Sequence, residues 1–206
     1  MNELNNEDHP EWYYDIPNME TLILGSFPPH HTKWHYPFYY PNSINLFWKI
    51  LSNISNVHLT PFSKKDKDKY ESIALKERYL IMEKLKIGVQ NMGKKIKRKG
   101  KSANDNDIII EEYQDILSII KAHQSLKQIL LPGFHAKYST YRSFIDYLKS
   151  KNIEVLNETI KPNSKLTFEI KVDNKTIDCF VLNSTSTAAR IKYEDIFKQF
   201  NHHLIK

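Results

Sequence analysis

The sequence predicts an α/β fold, a three-layer α/β/α sandwich with a mostly parallel central sheet. Two observations predict it. Short apolar runs alternate with segments whose apolar residues recur at helical spacing, which is typical of βαβ units. Turn residues close the runs, as Gly25 closes the run at residues 22–24. The 206 residues suit one such domain. We expect residues 19–206 to form it, behind an acidic N-terminal arm of residues 1–18.

Each element follows from the local pattern. Buried strands are predicted where apolar runs are short, and amphipathic helices where apolar residues recur every three or four positions. The segment at 94–101 shows neither period and is predicted to be a loop. Asp173-Asn174-Lys175 has the composition of a hairpin turn. The predicted strands are residues 21–24, 87–92, 126–131, 166–172 and 176–182, and the predicted helices are residues 44–55, 67–86, 111–123, 136–150 and 193–204.

The charge of the chain is unevenly distributed. The formal net charge is +6, but residues 1–32 contain six acids and no Lys or Arg, which leaves +12 on residues 33–206. Six of the eight residues at 94–101 are basic. A basic body favours a polyanionic partner, with nucleic acid first and an anionic membrane second. The alternative is a lysine-rich solvated surface.

Targeting signals and cysteines narrow the class further. The sequence has no apolar run of membrane-spanning length and no basic leader, so we expect a cytoplasmic protein, nucleoid-associated if it binds DNA, with no membrane partner. The single cysteine, Cys179, excludes an internal disulfide framework and a cysteine-rich metal site. Its apolar neighbours indicate a buried strand position. We expect a monomer.

The stretch at 21–51 predicts a ligand site. A buried strand ends at Gly25, a loop rich in Pro, His and aromatic residues follows, and Asn45 comes just before the helical pair Phe47-Trp48. In an open α/β sheet, ligands bind in the crevice beyond the carboxyl ends of the strands. The stretch therefore predicts a concave aromatic site, with a polar side chain at the start of a helix aimed at it.

A second motif, NSTSTAAR at 183–190, directly follows the last predicted strand. Small hydroxyl residues at a strand end offer closely spaced N–H and O–H donors that suit a phosphate. An ordinary turn rich in Ser and Thr is the alternative interpretation.

Together the two motifs resemble those of the uracil-DNA glycosylase superfamily. The order GSFPP, YY, Asn and FW is most similar to its DNA-deoxyinosine (hypoxanthine) glycosylase branch, and STSTA at 184–188 is similar to the superfamily's second motif. The resemblance covers roughly residues 20–205. Asn183 stands where the superfamily usually has Pro, and Asn42-Ser43 replaces a His-Pro pair. These departures leave the accepted base open.

The resemblance implies a monofunctional DNA glycosylase of base-excision repair, which hydrolyses the N-glycosidic bond of a deaminated base, uracil or hypoxanthine, flipped out of damaged DNA. It implies no cofactor and no metal. Asn45 matches the catalytic Asn that positions water, although Asn also caps helices. Tyr40 matches the stacking aromatic, with Phe27 as a second candidate. Backbone N–H groups around Gly25, Ser26 and Phe27 would bind the base and its developing charge.

The resemblance also implies the DNA contacts. The second motif would grip the DNA backbone, with Arg190 inserted into the duplex or bound to a phosphate. The basic segment at 94–101 would contact phosphates without reading sequence. The predicted DNA-binding residues are Ser184, Thr185, Ser186, Ala188, Arg190, Lys95, Lys97, Arg98 and Lys99.

Three alternatives stay open. The chain could be a DNA-binding protein that keeps the fold with weak or no catalysis. A metal-dependent hydrolase is suggested by His30, His31 and His35, but no Asp, Glu or Cys in that loop completes a site. A bifunctional lyase needs an amine nucleophile, for which Lys33 is the nearby candidate.

Overall fold

A computed structural model describes residues 4–61, 65 and 67–205 of the protein. Nine strands and five α-helices lie in the described ranges. The strands are β1 Leu4–Asp8, β2 Thr21–Gly25, β3 Ile87–Asn91, β4 Gly93–Lys99, β5 Ile108–Tyr113, β6 Gln128–Pro132, β7 Val155–Thr159, β8 Leu166–Val172 and β9 Lys175–Leu182. The helices are α1 Phe47–Ser55, α2 Lys67–Leu85, α3 Ile116–Ala122, α4 Thr140–Ser150 and α5 Tyr193–Leu204.

A six-stranded sheet forms the centre of the fold, in the order β3-β2-β6-β9-β8-β7. The first four strands are parallel, and β8 and β7 complete the sheet as antiparallel strands. Every residue of β2, β3 and β6 is buried, as expected for parallel strands covered on both faces. Helix α1 contacts both α2 and α5, while α3 packs on β8 and α4 on β6. The predicted three-layer α/β/α fold is confirmed.

A smaller antiparallel sheet, in the order β1-β4-β5, grows from the ends of β2 and β3. Strand β4 begins two residues after β3 ends. The link is held by backbone hydrogen bonds, from Met92 N–H to the Gly25 carbonyl (2.8 Å) and from Gly93 N–H to the Ser26 carbonyl (3.0 Å). The small sheet therefore stands at the carboxyl end of the parallel strands, where open α/β sheets bind ligands.

The prediction of a loop at residues 94–101 is wrong, because residues 93–99 form strand β4. Along this strand Ile96 and Arg98 are buried, and most of the lysines between and beside them face outward. Alternation of this kind is the signature of a strand. The sequence does not show the alternation of apolar and polar residues typical of a strand, because the charged residue Arg98 occupies a buried position.

The predicted helix at 111–123 is wrong over its first part. Residues 108–113 form β5, and helix α3 begins only at Ile116. Glu111 forms an ion pair with Lys97, and Glu112 forms one with Lys94, across the β4–β5 ladder. Cross-strand pairing of opposite charges stabilises the strand here.

The N-terminal arm contributes a strand to the small sheet. Residues Leu4 to Asp8 of β1 pair with Lys99 to Lys95 of β4, so the acidic arm lies along the basic strand. Beyond β1, the Trp12 ring meets that of Trp34 at 4.8 Å, and Tyr14 stacks on Tyr79 at 4.0 Å. The aromatic residues thus pack the arm against the body.

Elsewhere the predicted elements match the structure apart from shifts at their ends. Cys179 is buried in β9, as predicted. Asp173 adopts φ 54° in the turn that joins β8 to β9. Strand β7 was not predicted. Among the described residues, no helix has the length and apolar character needed to cross a membrane.

Candidate active site

The carboxyl ends of β2 and β3 place Gly25 beside Asn91. A Cβ atom at position 25 would lie 2.3 Å from the Asn91 Oδ1 and 3.3 Å from the Tyr40 hydroxyl. Real Cβ atoms do not approach an oxygen so closely, and only glycine leaves room for the amide. Backbone, amide and phenol therefore meet at one point, and two of them, Gly25 and Tyr40, were predicted to bind the base.

The orientation of the Asn91 amide is set by His9. The His9 Nδ1 lies 2.5 Å from the Pro10 carbonyl oxygen, which can only accept, so Nδ1 carries the proton. Nε2 is then an acceptor for the Asn91 Nδ2 at 3.0 Å. Burial lowers the pKa of His9 to about 4, which keeps the imidazole neutral near pH 7. The Asn91 Oδ1 is thereby directed toward Gly25.

A carboxyl group reaches the first motif from another part of the chain. The Ser26 hydroxyl donates to Asp105 Oδ1 at 2.6 Å. Asp105 begins a short 3-10 turn, Asp105–Asp107, in the segment between β4 and β5. Burial raises the pKa of the Asp105 carboxyl to about 6, although the Ser26 bond and the Arg98 charge oppose the rise. Burial, and then the charge of Asp105, raise the pKa of Tyr40.

Arg98 fastens both sides of this region. Its guanidinium donates from Nε to Glu7 (2.8 Å), and its two terminal nitrogens donate to the carbonyls of Ser102 (2.7 Å) and Pro28 (2.6 Å). It also lies over the Phe27 ring, 5.6 Å from the centroid. Only 2 % of the Arg98 side chain is exposed. The predicted phosphate contact by Arg98 does not fit the structure, because all three of its nitrogens bind protein oxygens.

Phe27 packs against the start of the small sheet. A Cβ at Gly93 would lie 2.9 Å from the Phe27 ring. The His9 ring meets Phe27 edge-on at 5.5 Å. With Arg98 also over the ring, Phe27 is part of the packing around the site, and its role as a second stacking aromatic stays a prediction.

Tyr40 is held in an uncommon backbone conformation, with φ 49°. The Tyr36 hydroxyl donates to the Tyr40 carbonyl at 2.6 Å. The Tyr40 ring stacks on Phe47 of α1, with 3.8 Å between centroids and 18° between planes. One face of the ring is therefore covered, and only the opposite face could receive a base.

Asn45 joins the two sequence motifs at the start of α1. Its Oδ1 accepts from the Phe47 N–H at 2.9 Å and so caps the first N–H of the helix, from the position just before the N-cap residue Leu46. The next residue, Leu46, donates its N–H to the Thr185 carbonyl at 3.0 Å. In the described part of the chain, no residue pairs with the Asn45 Nδ2. The structure thus shows the cap and brings Asn45 to the second motif, while the catalytic role stays a prediction.

The second motif forms a turn that satisfies many of its own donors. The Ser184 hydroxyl accepts from Ser186 N–H (3.2 Å), and the Ser186 hydroxyl accepts from Ala188 N–H (3.3 Å). Thr185 is buried, whereas Ala188 and Arg190 are exposed. Fewer N–H groups are open to a phosphate than the sequence suggests. DNA contact by these five residues stays a prediction, best supported for the exposed Arg190.

Lysines of β4 form ion pairs with glutamates of β5, which offset part of the positive charge of the strand. Lys95 pairs with Glu112 at 3.5 Å, and Lys97 pairs with Glu111. Lys99 is exposed at the far end of the strand. Contact of these lysines with DNA stays a prediction, with Lys99 the least constrained of the three.

A metal site finds no support in the described residues, which contain no cluster of three or more His, Cys, Asp or Glu placed to hold an ion. The His30 and His31 rings lie against each other, 4.1 Å apart. His35 lies near Ser43, with 3.4 Å between its Nε2 and the hydroxyl.

The fold matches the α/β fold of uracil-DNA glycosylases. A solution NMR structure from Methanosarcina acetivorans, which carries the name "putative Uracil DNA glycosylase", has this fold. The two chains share 20% sequence identity with a TM-score of 0.54, over 95% of this chain and 99% of that chain. At this identity the similarity shows a shared fold. The sequence matches no protein-family model and no curated protein sequence.

Sequence reasoning missed three residues of this region: His9, Asn91 and Asp105. Asn91 could have been found, because it is the polar last residue of a buried strand beside the first motif. Asp105 lies just beyond the basic segment, and nothing in the sequence indicated that it contacts the first motif. His9 carried no signal, since its place depends on β1 pairing with β4.

Replacing Arg98 with Ala should destabilise the fold by about 2–4 kcal/mol, because Glu7 and two carbonyls lose their charged donor. Lys99→Ala, at the adjacent exposed position, is the control and should change the free energy of unfolding by less than about 0.5 kcal/mol. Urea unfolding of both variants measures the difference. Equal, small effects would show that Arg98 does not hold the site together.

Proposed function

We propose that this chain is a DNA glycosylase that hydrolyses the N-glycosidic bond of a deaminated base, uracil or hypoxanthine. The observation that carries the proposal is the meeting of the two motifs at the carboxyl end of the sheet. Asn45 and Thr185 are joined there through the hydrogen bond from Leu46. The shared fold with a protein named as a glycosylase supports it. Enzymes of this kind act on a base flipped out of the duplex.

The polar groups around Gly25 suit a lactam. Uracil and hypoxanthine both present a ring N–H beside a carbonyl, whereas cytosine and adenine present an unprotonated ring nitrogen beside an amine. The Asn91 Oδ1, turned toward Gly25 by the hydrogen bond from its Nδ2 to neutral His9, would accept the lactam N–H. A site built to pair with this group rejects a base that lacks it, because the buried amide would lose its partner. The geometry thus favours deaminated bases over their parents.

Hydrolysis also requires a water molecule and a place for negative charge. The sugar passes through an oxocarbenium-like state, so a positioned water is a sufficient nucleophile. The Asn45 Nδ2 would hold that water while its Oδ1 stays on the helix. Backbone N–H groups around Gly25, Ser26 and Phe27 would stabilise the charge on the departing base.

Duplexes and single strands that carry uracil, hypoxanthine, xanthine or a G·T mismatch test the proposal directly. We expect release of uracil or hypoxanthine, measured as strand cleavage after alkali treatment. Undamaged DNA is the control. A chain that shifts the labelled DNA in a gel and releases no base from any of these substrates is a binding protein, and the proposal is then wrong.

Asn45→Ala should lower the single-turnover rate of base release by about 10²–10⁴, the usual effect of losing a positioned catalytic group. It should also destabilise the fold by about 0.5–2 kcal/mol, because the helix cap is lost. Asn45→Ser separates the two effects, since Ser keeps a capping oxygen but is too short to hold the water. We expect near-native stability and a slow reaction for Asn45→Ser. A wild-type rate for this variant would make Asn45 a cap alone.

The basic strand should contribute to DNA affinity through phosphates. We expect Lys99→Gln to make the slope of log K against log salt shallower by about 0.9, the value for one phosphate contact. Lys95→Gln and Lys97→Gln should have smaller effects, because both side chains already pair with glutamates. Lys121→Gln, an exposed lysine paired with Asp173, is the control. Identical slopes for all four variants would indicate a solvated surface without phosphate contacts.

A further inference from the structure

The Asp105 carboxyl is held against Ser26 by a rigid scaffold. Ser26 directly follows the parallel strand β2, and its hydroxyl donates to Asp105. The segment that carries Asp105 is fixed by the Ser102 hydroxyl, which donates to Asp107 at 2.7 Å. The Asn106 side chain also accepts the Lys137 N–H at 3.0 Å. These hydrogen bonds hold the segment in a position where the Asp105 carboxyl meets the Ser26 hydroxyl.

Arg98 adds the third support. It donates to the carbonyls of Pro28 and Ser102, one on the loop after Ser26 and the other on the segment before Asp105. Its Nε, however, donates to Glu7. Within the described ranges, the Asp105 carboxyl therefore accepts a hydrogen bond from the Ser26 hydroxyl and none from Arg98. A carboxyl kept for stability is expected to pair with a cation, so this one is a candidate for chemistry.

The position of the pair also fits the proposed site. Ser26 follows Gly25, where Asn91 and Tyr40 meet. The charge of Asp105 helps to raise the pKa of Tyr40, so the carboxyl lies near the Tyr40 hydroxyl. An amide such as Asn45 can orient a water molecule, but it is too weak a base to take its proton. The first motif itself contains no carboxylate.

We propose that Asp105 is the proton acceptor for the attacking water and acts through the Ser26 hydroxyl. This inference rests on the proposed glycosylase function and adds the base that Asn45 cannot supply. The water oxygen forms a bond to C1′ of the sugar as the C1′–N bond breaks. The electron pair of the C1′–N bond leaves with the base. The water proton moves to Ser26 Oγ while the Ser26 proton moves to Asp105 Oδ1. The base anion then takes a proton from solvent.

The ionisation of Asp105 makes the step dependent on pH. The charged or titratable groups that face it are Arg98 from β4 and Tyr40 from the aromatic loop. Its pKa is raised to about 6, and only the ionised form can accept a proton. The rate of base release should therefore increase with pH through about 6 and level off above it.

The same raised pKa predicts a stability effect of opposite sign. An acid whose pKa is higher in the folded protein binds its proton more tightly there, so stability is lost as pH rises through about 6. Asp105→Asn keeps the shape and an acceptor for Ser26 but removes the buried charge. The Tm of this variant should exceed that of the wild type at pH 8, and the difference should shrink below pH 6. A group that lowers stability and raises activity is expected at a functional site.

Single-turnover excision across pH 5–9 tests the proposal. At pH 8 we expect Asp105→Asn to be slower by about 10²–10³, with no rise through pH 6, and Ser26→Ala to lose the same rise. Asp107→Asn, two residues along the same turn, is the matched control and should keep the inflection near pH 6 whatever its absolute rate.

The outcomes separate the two proposals. A wild-type chain that releases no base overturns both of them. A wild-type chain that excises, with an Asp105→Asn variant of equal rate and unchanged pH profile, overturns the role of Asp105 alone. Loss of activity in Asp105→Asn together with a lower Tm at pH 8, and a similar loss of the inflection in Asp107→Asn, would show that the turn is only structural.

Discussion

The hydrogen bonds of the Arg98 guanidinium connect the parts of the molecule on which the candidate site depends. One bond reaches Glu7 of the N-terminal strand, one reaches Pro28 beyond β2, and one reaches Ser102 beyond β4. Breaking a buried charged contact of this kind is costly, because each oxygen would lose its donor in a place that water reaches poorly. Arg98 therefore fixes the segment that carries Asp105 relative to the strand that ends at Gly25.

The acidic N-terminal arm also helps to hold the candidate site in place. Strand β1 supplies Glu7 to Arg98, and His9 follows directly to orient the Asn91 amide. Glu7 brings a negative charge to Arg98, and His9 brings a hydrogen-bond acceptor to Asn91, and both Arg98 and Asn91 are buried. A neutral His9 suits the role, since its Nε2 can accept from the amide only while the ring is unprotonated. The uneven distribution of charge, with an acidic N-terminal arm and a basic remainder, therefore reflects pairing between segments of the chain as well as any affinity for DNA.

The sequence was sufficient to predict five of the six strands of the central sheet, all but β7, and insufficient to predict the small sheet. Strands β2 and β6 contain continuous apolar runs, at residues 22–24 and 129–131, so the expected burial alone identifies them. Strands β4 and β5 are stabilised by lysine–glutamate pairs and by an inward Arg98, and their composition imitates a solvated loop and a helix. Motif order located Gly25 and Tyr40. Asp105 could not be assigned, because its role depends on a contact across 79 residues of sequence.

The first motif lacks a carboxylate, and the fold brings one to it from a different strand connection. Such an arrangement separates two requirements that compete in a single loop. Because Gly25 carries no side chain, the Asn91 amide can lie directly against the GSFPP backbone. A carboxylate there would repel the negative charge that develops on the leaving base. In the proposed mechanism, Asp105 lies behind the Ser26 hydroxyl, and its charge would be one hydrogen bond further from the departing base. The distance weakens the repulsion while a proton can still pass.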